Sequence, residues 1–357
     1  MGLSLRTYRD KSKLRSIRAK LLHLLLIYNM LNVRIISVVF LVASLSASVF
    51  AQSAPDTSMV YIHNKPVSFK ARFLKFGMVV LGLNKGAERK YKRNKFNQTP
   101  ARIPSSLKRR YAMVVEEYNG RKIWTFTPRQ NASGKVILYL HGGSYVANIL
   151  SFHWDLIAKL LAKTNATIVV PDYPLAPGAQ CPDVYAFMLH VYSQLLTRAK
   201  ASDITIMGDS AGGGLSLGLA QEIREQKQPQ PGNIVLLAPW LDVSMTNPGI
   251  AAVVKHDKML NLNALQITGK AYAGNLSLTN PKVSPIYGSF EGLGKISLFI
   301  GTHDVLIADC QKLKTMLNQQ SINFNYFEYP GMFHVWMAVT GLKESKVAIN
   351  QIAALVK

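Results

Sequence analysis

"IMGDSAGGGL", residues 206–215, sets one serine between an acid and a run of glycines, directly after the apolar, β-branched stretch Ile204, Thr205, Ile206, Met207. A serine hydroxyl is a weak nucleophile until a base takes its proton, and it must project clear of the backbone to meet a substrate. A tight strand-to-helix turn achieves that projection but crowds the positions two residues to either side, where Gly208 and Gly212 stand. In a chain with 24 glycines a lone GxSxG string also fits a plain turn. Here it ends an apolar strand and opens the helical run "GGGLSLGLAQEI", which is the context the chemistry requires. Ser210 is therefore expected to be a nucleophile.

Outward from that turn, short β-branched runs alternate with longer amphipathic ones. Before it come "YAMVVEEY", "KIWTFTP", "KVILYLHGG", "HWDLIAKLLAKT", "ATIVVPDYP" and "VYAFMLHVYSQLLTRA"; after it come "NIVLLAPW", "KISLFIGTHD", "DCQKLKTMLNQQ", "NFNYFEYPG" and "ESKVAINQIAALV". Continuous apolar strands separated by helices predict an α/β fold with a mainly parallel, doubly wound sheet and helices on both faces. The first two strands should form a hairpin around "YNGRK". Between the sixth predicted strand and the next, residues 242–294 carry asparagines and helical stretches without a strong strand, and read as an insertion over the strand ends.

Charge is distributed unevenly. Of the formal +23, residues 1–51 contribute +7, residues 52–110 contribute +12 and residues 111–357 only +4. The domain from Tyr111 onward is nearly balanced and shows no zinc-finger spacing or aromatic-basic platform, so nucleic acid is not an expected partner. Residues 35–51 form an apolar run preceded by Arg34, with Val49 and Ala51 in the places a signal peptidase reads before Gln52. Residues 1–51 thus read as a signal peptide, with Met30 a candidate initiator, and the protein as exported to the periplasm or secreted; the rival reading is a membrane anchor at residues 35–51. Residues 52–110 form a basic arm in which Phe69, Phe73, Phe76, Val80 and Leu83 fall at helical spacing. Either this is a cap helix covering an acyl pocket, or residues 68–110 contact an anionic membrane surface. Cys181 and Cys310 are either a bridge or two buried thiols, and the oligomeric state is left open.

Acyl transfer needs more than a nucleophile. Backbone N–H donors for an oxyanion are expected from the glycine turn in "LYLHGGSY" and from Ala211, the residue after the serine. His141 ends a strand ahead of Ser210 and reads as a loop support rather than a base. Three histidines lie downstream, and His334, on the loop after the last strand, is expected to be the base rather than His256 or His303. Asp304, at the end of the penultimate strand, is the favoured orienting acid, with Asp242 one strand earlier as the alternative. Asp209 reads as polar support, and Asp309 as a solvated or capping residue of the following helix.

In "HGGSY", "DYPLAP", "GDSAGG", "APWLD", "GTHDVLIAD" and "GMFH", in order and spacing, residues 111–357 resemble the hormone-sensitive-lipase-like branch of the α/β-hydrolase superfamily. That resemblance implies a serine ester hydrolase with Ser210, Asp304 and His334 as a triad. It also implies an oxyanion hole from Gly142, Gly143, Ser144 and Ala211, a cap built from the N-terminal arm and the insertion, and neither metal nor organic cofactor. The chain departs from the branch in two places: Ser144 stands where a third glycine is common, and Pro174 and Gly178 replace an Arg and Glu pair. The expected substrates are small-molecule or lipid esters, short to medium acyl chains first. Lipase, deacetylase and amidase activity are the alternatives on the same triad, and a non-catalytic ligand-binding or membrane-associated protein is the alternative of another class.

Overall fold

In the computed structural model, residues 58–82, 84, 88, 89, 91, 93 and 96–356 are described. The expected signal or anchor, residues 1–51, lies outside them, as does Leu83. Nine strands among the described residues form one sheet: β1 (Met59–Ile62), β2 (Tyr111–Tyr118), β3 (Arg121–Pro128), β4 (Val136–Leu140), β5 (Thr167–Pro171), β6 (Ile204–Asp209), β7 (Asn233–Leu237), β8 (Lys295–Gly301) and β9 (Phe324–Tyr329). Their order across the sheet is β1-β9-β8-β7-β6-β4-β5-β3-β2. The β2–β3 hairpin and its junction with β5 are antiparallel; every other pairing is parallel.

The helices that matter to the site are α1 (Phe69–Val80), α2 (Ser105–Arg110), α3 (Ser151–Thr164), α4 (Cys181–Leu196), α5 (Ala211–Glu225), α6 (Ile250–Val253), α7 (Leu262–Ala273), α8 (Ile307–Gln319) and α9 (Lys343–Leu355). Alternate strand residues feed two apolar layers, as the period of two requires. On β4, Ile137 and Tyr139 join the cluster under α3, α8 and α9, whereas Leu138 and Leu140 join the one under α4. With both faces covered, β6 is buried along its whole length, which is why the sequence around it reads as an unbroken apolar run.

The chain runs from β4 to β5 on one side and then crosses to place β6 on the other side of β4. At such a switch point the loops after neighbouring strands diverge and leave a crevice at their carboxyl ends. The turn after β4 carries His141–Ser144, and the turn after β6 carries Ser210. Further along the same edge, β8 and β9 pair Gly301 with Tyr329, so Asp304 and His334 emerge from adjacent strands.

Three details differ from the sequence reading or complete it. The basic arm is not wholly helical: Met59–Ile62 adds a parallel strand to β9 at the sheet edge, a segment too short and too exposed to show an alternating pattern. On α1 the inner face is Ala71, Leu74 and Met78, against the core, whereas Phe69, Phe73, Phe76 and Val80 face outward. The phenylalanine stripe therefore does not cover an internal acyl pocket; the helix carries a second apolar stripe that does the packing. Cys181 and Cys310 are separate buried thiols.

Candidate active site

Ser210 sits at φ 53° and ψ −121°, outside the common basins for a residue with a side chain. The turn is held by backbone: Ser210 N–H donates to Leu237 O at 2.9 Å, and its own carbonyl accepts from Trp240 N–H at 2.8 Å. A Cβ on Gly208 would strike the carbonyl of Gly212, and one on Gly212 would strike that of Leu140. Both flanking glycines are thus required by close approach.

From this turn Ser210 Oγ lies 2.9 Å from His334 Nε2, and His334 Nδ1 lies 2.7 Å from Asp304 Oδ2. All three side chains are buried. Asp304 Oδ1 accepts from Leu306 N–H at 3.0 Å, so the carboxylate cannot rotate freely. Because Nδ1–H donates to that carboxylate, Nε2 is left as the acceptor facing the serine hydroxyl. Burial opposes charge on His334, but Asp304, through its charge and its hydrogen bond, together with Asp257 and Asp209, outweighs it and raises the imidazole pKa.

The turn after β4 is fixed by Asp209, which accepts from Tyr139 OH at 2.6 Å, Gly142 N–H at 3.1 Å and His153 Nε2 at 3.2 Å. Leu150 N–H donates to His153 Nδ1 at 2.8 Å, which leaves the ring proton on Nε2 for Asp209. Burial works against the Asp209 charge, yet its electrostatic and hydrogen-bond interactions with His153 and the hydrogen bond from Tyr139 hold its pKa below the usual carboxylate range. The Gly142 N–H, expected to face an oxyanion, is thereby already engaged. The N–H groups of Gly143, Ser144 and Ala211 find no protein acceptor among the described residues.

His141 supports this loop, as its position suggested. Its Nδ1 bonds Gly142 O at 2.8 Å, its ring stacks on Tyr173 at 4.4 Å, and burial with the neighbouring His153 pushes its pKa down to about 3. Asp242 is tied elsewhere, accepting from Ser244 N–H at 2.9 Å and Tyr287 OH at 2.7 Å. Asp309 is buried rather than solvated, and accepts from Asn247 Nδ2 at 2.8 Å. His256 and His303 stack on each other with centroids 5.0 Å apart, and His303 Nδ1 takes its hydrogen bond from Lys75 Nζ at 2.6 Å.

Two supports escaped the sequence reading. Asp257, in the insertion, accepts from Met259, Leu260 and Val305 N–H at 2.8–2.9 Å, the last of these beside Asp304. Burial and the Asp304 charge push its pKa up to about 6. Where the sequence lacks an arginine at position 174, Arg121 arrives from β3 instead, with Nη2 2.8 Å from Tyr173 O and 3.9 Å from Asp172 Oδ1. Neither has a local motif, because the partners come from distant elements.

The family model described as alpha/beta hydrolase fold matches residues 137–338, which include every site residue named above from Tyr139 to His334. An esterase of Acinetobacter venetianus is 29% identical over 227 residues, 63% of this chain and 75% of that protein. A triacylglycerol lipase of Mycobacterium tuberculosis is 32% identical over 224 residues, 62% of this chain and 46% of the lipase. The crystal structure of an HSL homologue from a metagenome library superposes with a TM-score of 0.68 at 24% identity, covering 80% of this chain and 96% of that one. With the sheet order, the switch-point crevice and a family match over more than half of its length, the chain belongs to the α/β-hydrolase-fold family.

Proposed function

We propose that the protein is a serine carboxylic-ester hydrolase of the hormone-sensitive-lipase-like branch, working through an acyl-enzyme with Ser210 as nucleophile, His334 as general base and acid, and Asp304 as orienting acid. The single observation that carries this reading is the hydrogen-bonded chain Ser210 Oγ, His334 Nε2, His334 Nδ1, Asp304 Oδ2, with links of 2.9 and 2.7 Å. The names of its relatives, esterase and triacylglycerol lipase, support the ester as the bond cleaved.

His334 Nε2 takes the Ser210 proton as Oγ attacks the ester carbonyl, and the carbonyl oxygen becomes an oxyanion. Backbone N–H groups of Gly143, Ser144 and Ala211 receive that charge, with Gly142 spent on fixing the turn. The imidazolium, stabilised by Asp304, returns the proton to the departing alkoxide and releases an alcohol. Water, deprotonated by the same nitrogen, then frees the carboxylic acid and restores the serine. Ser144 places a side chain where glycine is usual in the oxyanion turn, which supports short to medium acyl groups over bulkier ones. Export from the cell, by cleavage near Ala51, is part of the same proposal and rests on residues 30–52 alone.

Hydrolysis of p-nitrophenyl esters of increasing acyl length by the wild type and by Ser210→Ala tests the reading. The expected result is a rate maximum at short to medium chains and near-complete loss in the variant. A variant that keeps the parental turnover removes Ser210 from the chemistry.

A further inference from the structure

Helix α1 is apolar on two sides, and only one of them is covered. Its inner residues Ala71, Leu74 and Met78 meet the core. On the outer side Phe69, Phe73, Phe76 and Val80 are 76%, 64%, 65% and 67% exposed. Spacings of four, three and four residues put them on one stripe, and the Phe69 and Phe73 rings stack with centroids 6.4 Å apart. A contiguous aromatic stripe left in water is unusual for a soluble surface and marks a contact.

The chemistry around the stripe says what the contact is. Lys70 and Arg72 are exposed between the phenylalanines. At the start of α1 a cavity of about 570 Å³ is lined by Lys65, Phe69, Arg72, Lys343, His63 and Glu344, among others. Its one carboxylate, Glu344, is already engaged by Ser68, whose N–H and Oγ lie 2.6 and 3.0 Å away. Lys65, Arg72 and Lys343 outnumber that carboxylate, so the recess is net cationic and its rim is an exposed aromatic ring. The segment 52–110 as a whole carries +12, and the apolar run 35–51 ends a few residues before β1. No helix among the described residues is long and apolar enough to cross a membrane, so the twelve residues of α1 can lie on a bilayer but not span it.

We infer that α1 docks on the surface of an anionic phospholipid bilayer, with the phenylalanine stripe at the boundary between headgroups and acyl chains and Lys65, Arg72 and Lys343 taking lipid phosphate. The docking face is coupled to the site by Lys75, on the same helix. Its Nζ donates to His303 Nδ1 at 2.6 Å and to Gly331 O at 3.1 Å, residues on the loops that carry Asp304 and His334. The surface stands independently of the ester-hydrolase reading. Only its consequence, that the esters come from the lipid phase, rests on that reading.

The test reads binding without substrate. In the full chain, Phe76→Trp places a reporter on the stripe, while Trp124, Trp154, Trp240 and Trp336 are all at most 5% exposed and stay out of reach of lipid. Vesicles with brominated acyl chains quench an indole that enters the bilayer. The expected result is strong quenching by phosphatidylglycerol-containing vesicles at 0.1 M salt, little by pure phosphatidylcholine, and release at 1 M, as the Debye length falls from about 10 to about 3 Å. Adding Phe69→Ser or Phe73→Ser should weaken the partition about tenfold each, and Arg72→Ala with Lys343→Ala should remove the anionic preference. Hydrolysis of a dissolved short ester should be unchanged in these variants. An unquenched reporter in anionic vesicles overturns the inference, whether the protein is held by residues 35–51 or stays in solution. Equal quenching by neutral vesicles, or self-association abolished by Phe73→Ser, overturns it too.

Discussion

Replacing Asp304 with asparagine keeps the shape of the side chain and changes which tautomer of His334 is comfortable. In the wild type one carboxylate oxygen accepts from Leu306 N–H at 3.0 Å and the other accepts from His334 Nδ1 at 2.7 Å. In Asp304→Asn the amide oxygen keeps the Leu306 bond and the amide nitrogen turns to His334. Nδ1 must then accept, and the ring proton moves to Nε2, where it faces Ser210 and blocks deprotonation. The opposite amide flip sets two buried donors against each other, at about 1–3 kcal/mol, so the competent tautomer falls about 5- to 150-fold. The imidazolium formed during attack also loses its buried counter-charge, for about 3–5 kcal/mol, or about 10² to 10⁴ in rate. Together the two losses centre on about 10⁴ in kcat, in line with the known cost of a misoriented catalytic imidazole. Steady-state hydrolysis of a p-nitrophenyl ester, with thermal unfolding to confirm the fold, measures it. A loss smaller than about tenfold in a folded variant refutes the role of Asp304 and the tautomer logic with it.

Asp242→Asn, by contrast, should change kcat/KM by no more than a few-fold, because Ser244, Ser284 and Tyr287 and not His334 surround that carboxylate; a loss rivalling that of Asp304→Asn would move the acid to the earlier strand. The pH profile should show an acid limb set by His334, which must be neutral to act and whose pKa is raised in the fold. Asp257 adds to that elevation, so Asp257→Asn should shift the limb to lower pH in kcat/KM, and an unmoved limb would show that the two groups are not coupled. Asp309 is an acid whose pKa rises from 3.8 to about 6 on burial, so folding favours its neutral form: the benefit is present below about pH 4 and lost as pH rises through about 6. Asp309→Asn should therefore stabilise the protein by about 1–3 kcal/mol at pH 8 and by almost nothing at pH 4 in urea unfolding, and equal effects at both pH values would contradict the burial account.

Much of this was legible because the sheet imposes it. Parallel strands buried on both faces leave unbroken apolar runs, and the loop after each run lies at the carboxyl edge, so order and spacing pointed to Ser210 and His334 and favoured Asp304 over Asp242. The division of labour within "HGGSY" could not be, since whether a given N–H points at a substrate or at Asp209 depends on two or three dihedral angles that any glycine pair can adopt. Asp209 itself was legible only as a polar neighbour; its partners Tyr139 and His153 lie on other elements and share no motif with it. The direction of α1 stayed open between a cap and an outward face for a related reason: helical spacing identifies a stripe, but a helix with Ala71, Leu74 and Met78 on its other side offers a second one, and periodicity alone does not say which side the core takes. Asp257 and Arg121 are supports supplied across the fold, where sequence carries no local trace of the pairing.

The central claim is that Ser210 is activated by His334 within an intact triad, and covalent labelling addresses it directly. A fluorophosphonate reacts with a serine only when the hydroxyl is deprotonated in place and the new oxyanion is received by backbone donors. Mass spectrometry of the treated full chain should find one adduct, on the peptide carrying Ser210, formed rapidly in the wild type, absent in Ser210→Ala and slowed by orders of magnitude in His334→Ala. Labelling of a different residue, or labelling of Ser210 at the same rate without His334, would contradict the account.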